Sequence, residues 1–141
     1  MELNEKQHKQ TLINPEGTEF IYNTLKFSQA IRVDNTVRVS GQVGMDEKGA
    51  VGKTIEEQAR TAFQNLKKTL NVAGASMDDI VELVTYHTSM KDMKIFGKVK
   101  SEFITDNYPA WTAVGVTELV LPQLMIEIRA TAVVGSGSSD R

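Results

Sequence analysis

The sequence predicts an α+β fold: a single mixed β-sheet of about six strands with two helices packed on one face. Short β-prone segments precede the first helical pattern, and later β-prone segments alternate with helical ones. The 141 residues, 40% hydrophobic and 24% charged, are enough for one buried core. Right-handed crossovers put both helices on the same side of the sheet. We expect the other side to carry Val, Ile and Met residues and to meet further copies of the chain.

The first part of the chain predicts a short lead-in followed by an antiparallel meander. Residues 1–16 are polar without a clear period, and the single domain is expected over residues 17–134. Three β-prone segments follow, EFIYN at 19–23, FSQAIRV at 27–33 and TVRVSGQV at 36–43, with a turn at Asp34-Asn35. Residues 135–141, GSGSSDR, have the composition of a flexible tail.

The first helix has both a start signal and a stop signal. Thr54 followed by Glu57 is a capping box, in which the hydroxyl and the carboxylate accept hydrogen bonds from free backbone amides. Gly74 is the expected stop. Apolar residues at helical spacing predict one buried face, and they are Ile55, Ala59, Ala62, Phe63, Leu66 and Leu70.

The second half of the chain predicts a strand, a helix and two further strands. DDIVELVTYHTS at 78–89 is rich in β-branched residues, as expected for a strand covered on both faces. AWTAVGVTELV at 110–120 and LMIEIRATAVV at 124–134 predict the final strands, joined at residues 121–123. The helix between them is marked by Ile95, Phe96, Val99 and Phe103.

Composition excludes several classes of function. The chain has no cysteine and only two histidines, so neither a thiolate nor a histidine-rich metal site is expected. The net charge of -2 provides no field that would draw the protein to nucleic acid. No apolar run is long enough to span a membrane, and the polar amino terminus lacks a secretory signal. These features predict a cytoplasmic protein without a membrane partner.

Three separated segments carry a family resemblance. FSQAIRVDNTVRVSGQVGMDEKGAV, TIEEQARTAFQNLKKTL and YPAWTAVGV…MIEIRATAVV resemble the RidA/YjgF family, also called the L-PSP endoribonuclease or RutC-like family, from Phe27 to Val134. The resemblance implies a chorismate-mutase-like fold and a homotrimer with a cleft between each pair of subunits. It also implies hydrolysis of reactive enamines and imines to keto acids and ammonia, without metal or organic cofactor.

Two positions depart from the family pattern. The family motif PAR places an arginine where this chain has Trp111, and the tyrosine of the motif YSQ is replaced by Phe27. An arginine binds a substrate carboxylate through paired hydrogen bonds, whereas an indole has one donor and no charge. WTAVGV is similar to the YjgH-like branch. The resemblance therefore implies an altered specificity, with low activity on substrates whose carboxylate needs that arginine.

The resemblance also assigns the candidate site. Glu127 matches the glutamate that positions or activates the attacking water, and Ser40 and Gly41 match the loop that lines the cleft. Ala113 matches a position whose backbone carbonyl orients water or substrate nitrogen. A pocket walled by Phe27 and Trp111 would desolvate Glu127 and raise its pKa toward neutrality.

Each candidate residue also has a structural interpretation. Trp111 could be ordinary core or interface packing, and Glu127 could be an outward residue of an alternating strand. His87 is a pocket acid, base or donor in one interpretation and a structural histidine bonded to backbone in the other. Arg129 shares the face of Glu127, so it is either a substitute anion clamp or a surface residue. A basic stripe around the second helix is more typical of solvated surface than of RNA binding, and it comprises Lys91, Lys94 and Lys98.

The first hypothesis for function is a cofactor-free trimeric hydrolase or deaminase acting on a small imine, enamine or related reactive metabolite. Glu127 would steer water, and Trp111 would face the same small space from the cleft wall. The rival hypothesis is a non-catalytic small-molecule binder or regulatory trimer. A third, endoribonuclease or translation inhibitor, ranks last because the chain has no phosphate cradle and a negative charge.

Overall fold

The structure is a computed structural model that describes residues 8–137. Three strands are followed by a helix, a strand, a second helix and two strands, which is the predicted order. A single π-helical turn lies at Ile21–Leu25. The main elements are β1 (Gln10–Ile13), β2 (Ala30–Val33), β3 (Thr36–Val43), α1 (Ile55–Val72), β4 (Ile80–His87), α2 (Met93–Phe103), β5 (Ala110–Gly115) and β6 (Ile126–Val133).

All six strands form one mixed sheet in the order β1-β2-β3-β6-β4-β5. β4 and β5 pair in parallel, as expected for strands joined by α2, and the other neighbours are antiparallel. β6, the last strand in chain order among the described residues, therefore lies between β3 and β4. The predicted single mixed sheet is confirmed.

Both helices cover the same face of this sheet. Phe63 of α1 packs against Phe96 of α2 with ring centroids 5.6 Å apart, and Phe96 meets the edge of His87 on β4. The capping box is confirmed, because the Glu57 N–H donates to Thr54 Oγ1 at 3.1 Å. The six predicted apolar residues of α1 are all buried. Facing them from the sheet are buried strand residues, which include Val37, Val39, Leu83, Ile126, Ile128, Ala130 and Ala132.

The predicted strand at 19–23 is wrong. Residues 21–25 form the π-helical turn, in which the Lys26 N–H donates to the carbonyl of Ile21 at 3.0 Å. The first strand is instead β1, inside the segment expected as a lead-in. β1 pairs with β2 from Gln10↔Val33 to Ile13↔Ala30 and so occupies the edge that the predicted strand would have needed. Residues 1–7 of the expected lead-in lie outside the described part of the chain.

The start of the expected tail is held by hydrogen bonds. The Gly137 N–H donates to Asp79 Oδ1 at 2.9 Å, and the Ser136 N–H donates to the carbonyl of Val133 at 3.0 Å. The remaining tail residues, 138–141, lie outside the described residues.

The face of the sheet without helices mixes apolar and charged side chains. Strand register places one row across it, and that row runs Leu12, Ile31, Arg38, Thr131 and Glu82. We refer to this side as the outward face. The expectation of Val and Ile on this face holds in part, but that of Met does not, because none of the six strands contains a methionine. Between residues 8 and 137, neither helix is long and apolar enough to cross a bilayer.

Candidate functional site

Glu127 lies half-buried on β6 with its side chain on the outward face. Its register partners are Val43 on β3 and Tyr86 on β4. The carboxylate lies directly against Gly41: a Cβ built at residue 41 would be 2.6 Å from Glu127 Cδ and 3.0 Å from Cγ. The absence of a side chain at Gly41 therefore provides the space that the carboxylate occupies. The structure brings these two predicted site residues together.

A β-bulge produces this close approach. Val39 pairs with Ala130, but Gln42 pairs with Ile128, so β3 has one residue more than β6 across the same span. The extra residue belongs to the Ser40-Gly41 pair. Bulges bend a strand and redirect its side chains, and they are common beside active sites.

The bulge is fixed by hydrogen bonds to the segment that enters β2. The Ser40 N–H donates to the carbonyl of Gln29 at 2.8 Å, and the Ser40 hydroxyl donates to the carbonyl of Ser28 at 2.7 Å. Asn14 accepts from the Gln29 N–H at 3.0 Å. Asn14 was not among the predicted residues, since its role depends on a strand that the sequence pattern missed. Phe27 precedes this segment with its side chain 43% exposed. We call Glu127, Gly41 and Ser40 the carboxylate cluster.

Burial raises the pKa of Glu127 above its ordinary value of 4.5, because desolvation disfavours the charged form. Within residues 8–137 the carboxylate accepts no hydrogen bond that would offset this effect. A carboxyl group with a raised pKa is better matched to proton transfer near neutral pH than an exposed one.

Trp111 lies on the opposite side of the sheet. It pairs with Leu83 of β4, and its Nε1 donates to the hydroxyl of Thr85 at 3.0 Å. Its ring centroid is 6.3 Å from that of Phe96, and the ammonium of Lys100 lies 4.5 Å from the ring. The indole is still 39% exposed at the edge of the sheet. Trp111 therefore combines packing against α2 with a solvent-facing edge.

His87 is fully buried and joins Trp111 through a shared partner. His87 Nε2 lies 2.7 Å from the Thr85 hydroxyl that receives the indole N–H. Burial lowers the pKa of His87 from its ordinary value of 6.5, and the charge of Asp92 opposes this only partly. Its Nδ1 has no hydrogen-bond partner among residues 8–137. His87 is therefore a neutral interior side chain, with no exposed surface for a ligand.

We call Trp111, Thr85 and His87 the indole cluster. Ala113 pairs with Thr85 and belongs beside it. Glu127 pairs with Tyr86, which follows Thr85 on β4, so alternation along the strand puts the two clusters on opposite faces. Within a single chain, Trp111 and Glu127 therefore lie on opposite faces of the sheet. The expectation that they face one space in a cleft between copies stays a prediction.

Arg129 shares the outward face with Glu127, as predicted. Its Nε donates to the Tyr86 hydroxyl at 3.1 Å. This hydrogen bond is the main reason that the pKa of Arg129 is raised. The three lysines of the basic stripe are exposed, which is the solvated arrangement that the sequence favoured. No cluster of three acidic or histidine side chains suited to a metal occurs within residues 8–137.

A cavity of about 580 Å³ lies elsewhere, beyond the ends of β4 and β5. It contains none of the predicted site residues. Buried Gln58 holds two of its walls together, donating to the carbonyls of Gly52 and Gln123 at 2.9 and 2.8 Å. Nothing in the sequence pattern predicted this cavity. The lining includes Val51, Lys53, Thr88, Thr117, Glu118 and Pro122.

Comparison with known proteins adds a family assignment to this geometry. A family model described as Endoribonuclease L-PSP matches residues 19–134. The chain is 40% identical over 113 residues to the RutC family protein YjgH of Escherichia coli strain K12, covering 79% of this chain and 86% of that protein. It is 37% identical over 95 residues to a 2-iminobutanoate/2-iminopropanoate deaminase of Dermatophagoides farinae, covering 66% of this chain and 74% of the other.

A solved structure agrees with these matches. RidA from the Antarctic bacterium Psychrobacter sp. PAMC 21119 superposes with a TM-score of 0.74 at 30% identity, covering 92% of this chain and 100% of the other. Sequence and fold thus match over most of the chain. The protein belongs to the RidA/YjgF family, described as endoribonuclease L-PSP, with YjgH and imine deaminases among its homologues.

Proposed function

We propose that the protein is a cofactor-free imine or enamine deaminase whose site is a cleft between the subunits of a homotrimer. The observation that carries this proposal is the half-buried carboxylate of Glu127, which lies against the bulge at Gly41 with a raised pKa. Homology to 2-iminobutanoate/2-iminopropanoate deaminases supports the reaction class. The substrate would be a small reactive metabolite, and the compartment the cytoplasm.

Association of copies would complete the site. The carboxylate cluster and the indole cluster lie on opposite faces of one sheet, so a cleft holding both needs the indole edge of a second subunit. Exposed apolar side chains in the segment between β1 and β2 would also be covered by such an assembly. They include Phe20, Leu25 and Phe27, which are 66%, 57% and 43% exposed.

The proposed chemistry is hydrolysis of a carbon–nitrogen double bond. Glu127 would accept a proton from water as the water oxygen bonds to the imine carbon. The same carboxyl group would return that proton to nitrogen, which gives a carbinolamine. It would then transfer the proton of the carbinolamine hydroxyl to nitrogen, so that the carbon–nitrogen bond breaks, ammonia leaves and the carbon becomes a ketone. A raised pKa allows one group to do both. Because the base must be ionised, turnover would fall as pH drops through the pKa of Glu127.

Trp111 would shape specificity rather than bind charge. Its only donor is already used on Thr85, and its exposed edge offers an apolar surface. Together with Phe27 it would favour substrates with an apolar side chain, and it would disfavour those whose carboxylate needs an arginine at position 111.

The test compares Glu127→Gln with the wild type and with Glu82→Gln, which removes an exposed carboxylate from the same face. Ammonia release is measured with 2-iminobutanoate generated in situ, and binding of 2-oxobutanoate is measured by calorimetry. The deaminase predicts a loss of turnover of about 10²- to 10⁴-fold in Glu127→Gln with binding retained. Equal ammonia release and equal binding of 2-oxobutanoate in all three proteins would instead support the non-catalytic binder. Light scattering that finds only single chains would contradict the cleft.

A further inference from the structure

Three side chains are candidates for a cation that binds an anionic substrate. They are His87, Lys100 and Arg129, and the structure places each in a different environment. His87 is fully buried and its pKa is lowered, so it carries no charge at neutral pH. Lys100 projects from α2 over the Trp111 ring, on the opposite face of the sheet from Glu127. Arg129 alone of the three shares a face and a strand with Glu127.

Arg129 is held in place with its charged end free. Its Nε donates to the Tyr86 hydroxyl at 3.1 Å, and Tyr86 is the register partner of Glu127 on β4. Within residues 8–137, no carboxylate lies within 4.0 Å of the guanidinium, and its two Nη groups have no hydrogen-bond partner. Glu82 contributes only a longer-range interaction. One edge of the guanidinium is therefore fixed while its two Nη groups remain available.

The free Nη groups suit a carboxylate. A guanidinium presents paired donors that match the two oxygens of a carboxylate, and this geometry gives orientation as well as affinity. Residues two apart on a strand have side chains on the same face about 6.6 Å apart. In a 2-imino acid the carboxylate is bonded directly to the imine carbon. A carboxylate held by Arg129 would consequently place that carbon next to Glu127.

Granted the proposed function, on which this inference depends, we propose that Arg129 binds the substrate carboxylate and that Tyr86 is its positioning residue. The substrate class is then the 2-imino carboxylates, with the anion anchor on β6 instead of β5. The absence of arginine at position 111 changes where the carboxylate is held and does not exclude carboxylate substrates.

The test uses four variants. Arg129→Met keeps much of the apolar stem but removes the charge, Arg129→Lys keeps the charge without the paired donors, and Tyr86→Phe removes only the hydroxyl. Arg38→Met is the matched control, because Arg38 is an exposed arginine on the same face. Calorimetry compares 2-oxobutanoate with 2-butanone, which lacks the carboxylate, and steady-state kinetics with 2-iminobutanoate separate kcat from KM.

Arg129→Met is expected to weaken 2-oxobutanoate binding about 10- to 100-fold, to remove the preference over 2-butanone and to raise KM by a similar factor. Arg129→Lys should recover part of this loss. Tyr86→Phe should raise KM several-fold with little change in kcat, because a residue that only positions the guanidinium affects binding first. Arg38→Met should match the wild type.

Wild-type affinity in Arg129→Met would overturn the assignment, as would an equal loss in Arg38→Met, which would indicate a general effect of net charge. A loss confined to an additional variant, Lys100→Met, would instead place the anchor at Lys100, beside the indole cluster. Circular dichroism and light scattering exclude unfolding as the cause of any loss, and Arg129→Lys remains informative if Arg129→Met does not fold. If Glu127→Gln abolishes turnover while Arg129→Met leaves KM unchanged, the deaminase function is supported and the proposal that Arg129 binds the substrate carboxylate is wrong.

Discussion

Replacing Gly41 by alanine tests the geometry of the carboxylate cluster directly. The new Cβ would lie 2.6 Å from Cδ and 3.0 Å from Cγ of Glu127, which is too close for the carboxylate to stay. The φ angle of Gly41 is not positive, so alanine brings no backbone strain. The change therefore displaces the Glu127 side chain and leaves both the carboxylate and the strand in the protein.

The expected cost in stability is small and the cost in turnover is large. Glu127 is half-buried and is not held by a hydrogen bond within the described residues, so its side chain can rotate toward solvent. A strained rotamer costs about 0.5–1.5 kcal/mol, whereas overpacking a rigid core costs about 1–3 kcal/mol. We expect the free energy of unfolding to fall by about 1 kcal/mol, or a few degrees in Tm. Turnover should fall about 10²- to 10⁴-fold, as when a general base is removed.

Urea unfolding and ammonia release measure the two effects separately. Gly97→Ala is the control, because a Cβ at this α2 position meets nothing within 4 Å. That variant should gain about 0.5–1 kcal/mol from helix propensity and keep wild-type turnover. Wild-type turnover in Gly41→Ala would refute the requirement for Glu127 to lie against the bulge.

Three further changes test other contacts. His87 has a lowered pKa, so wild-type stability should decline as pH falls below 6.5, and His87→Gln should flatten that slope in urea titrations. For Asp79, burial would raise the pKa but backbone donors led by Gly137 lower it below 3.8. The stabilisation that the ionised Asp79 provides is thus lost as pH falls through that lowered pKa. Asp79→Asn should lower the free energy of unfolding by about 1–2 kcal/mol at pH 7 but by much less at pH 2. Trp111→Phe removes the donor to Thr85 and should cost about 0.5–1.5 kcal/mol by thermal unfolding, and an unchanged Tm would contradict that bond's contribution.

Local signals in the sequence predicted the elements that depend on local interactions. The capping box at Thr54 and Glu57 marked the start of α1, and a turn at Asp34-Asn35 correctly separated β2 from β3. The segment at 19–23 failed for the opposite reason. Despite its β-propensity, this segment could not pair with β2, because β1 already occupies the edge of β2.

The candidate site was predictable only in part, since its halves depend on different interactions. Family motifs indicated Gly41 and Glu127, and antiparallel pairing of β3 with β6 brings them together. The face on which Trp111 lies follows from its parallel register with Leu83, a pairing between distant segments that no local pattern specifies. Arg129 was visible as a neighbour of Glu127, but its tether to Tyr86 required β4 to be placed beside β6.

The position of β6 in the middle of the sheet has a consequence for biosynthesis. During synthesis, β3 and β4 leave the ribosome well before residues 126–133. The edge of each strand that pairs with β6 in the folded protein therefore stays unpaired until β6 emerges. Chaperones would meet the nascent chain during this interval, and premature termination ahead of residue 126 would leave two sheet fragments prone to aggregation. We expect a synthetic peptide that spans β6, added to such a fragment, to pair with the free edges of β3 and β4 and to keep the fragment in solution.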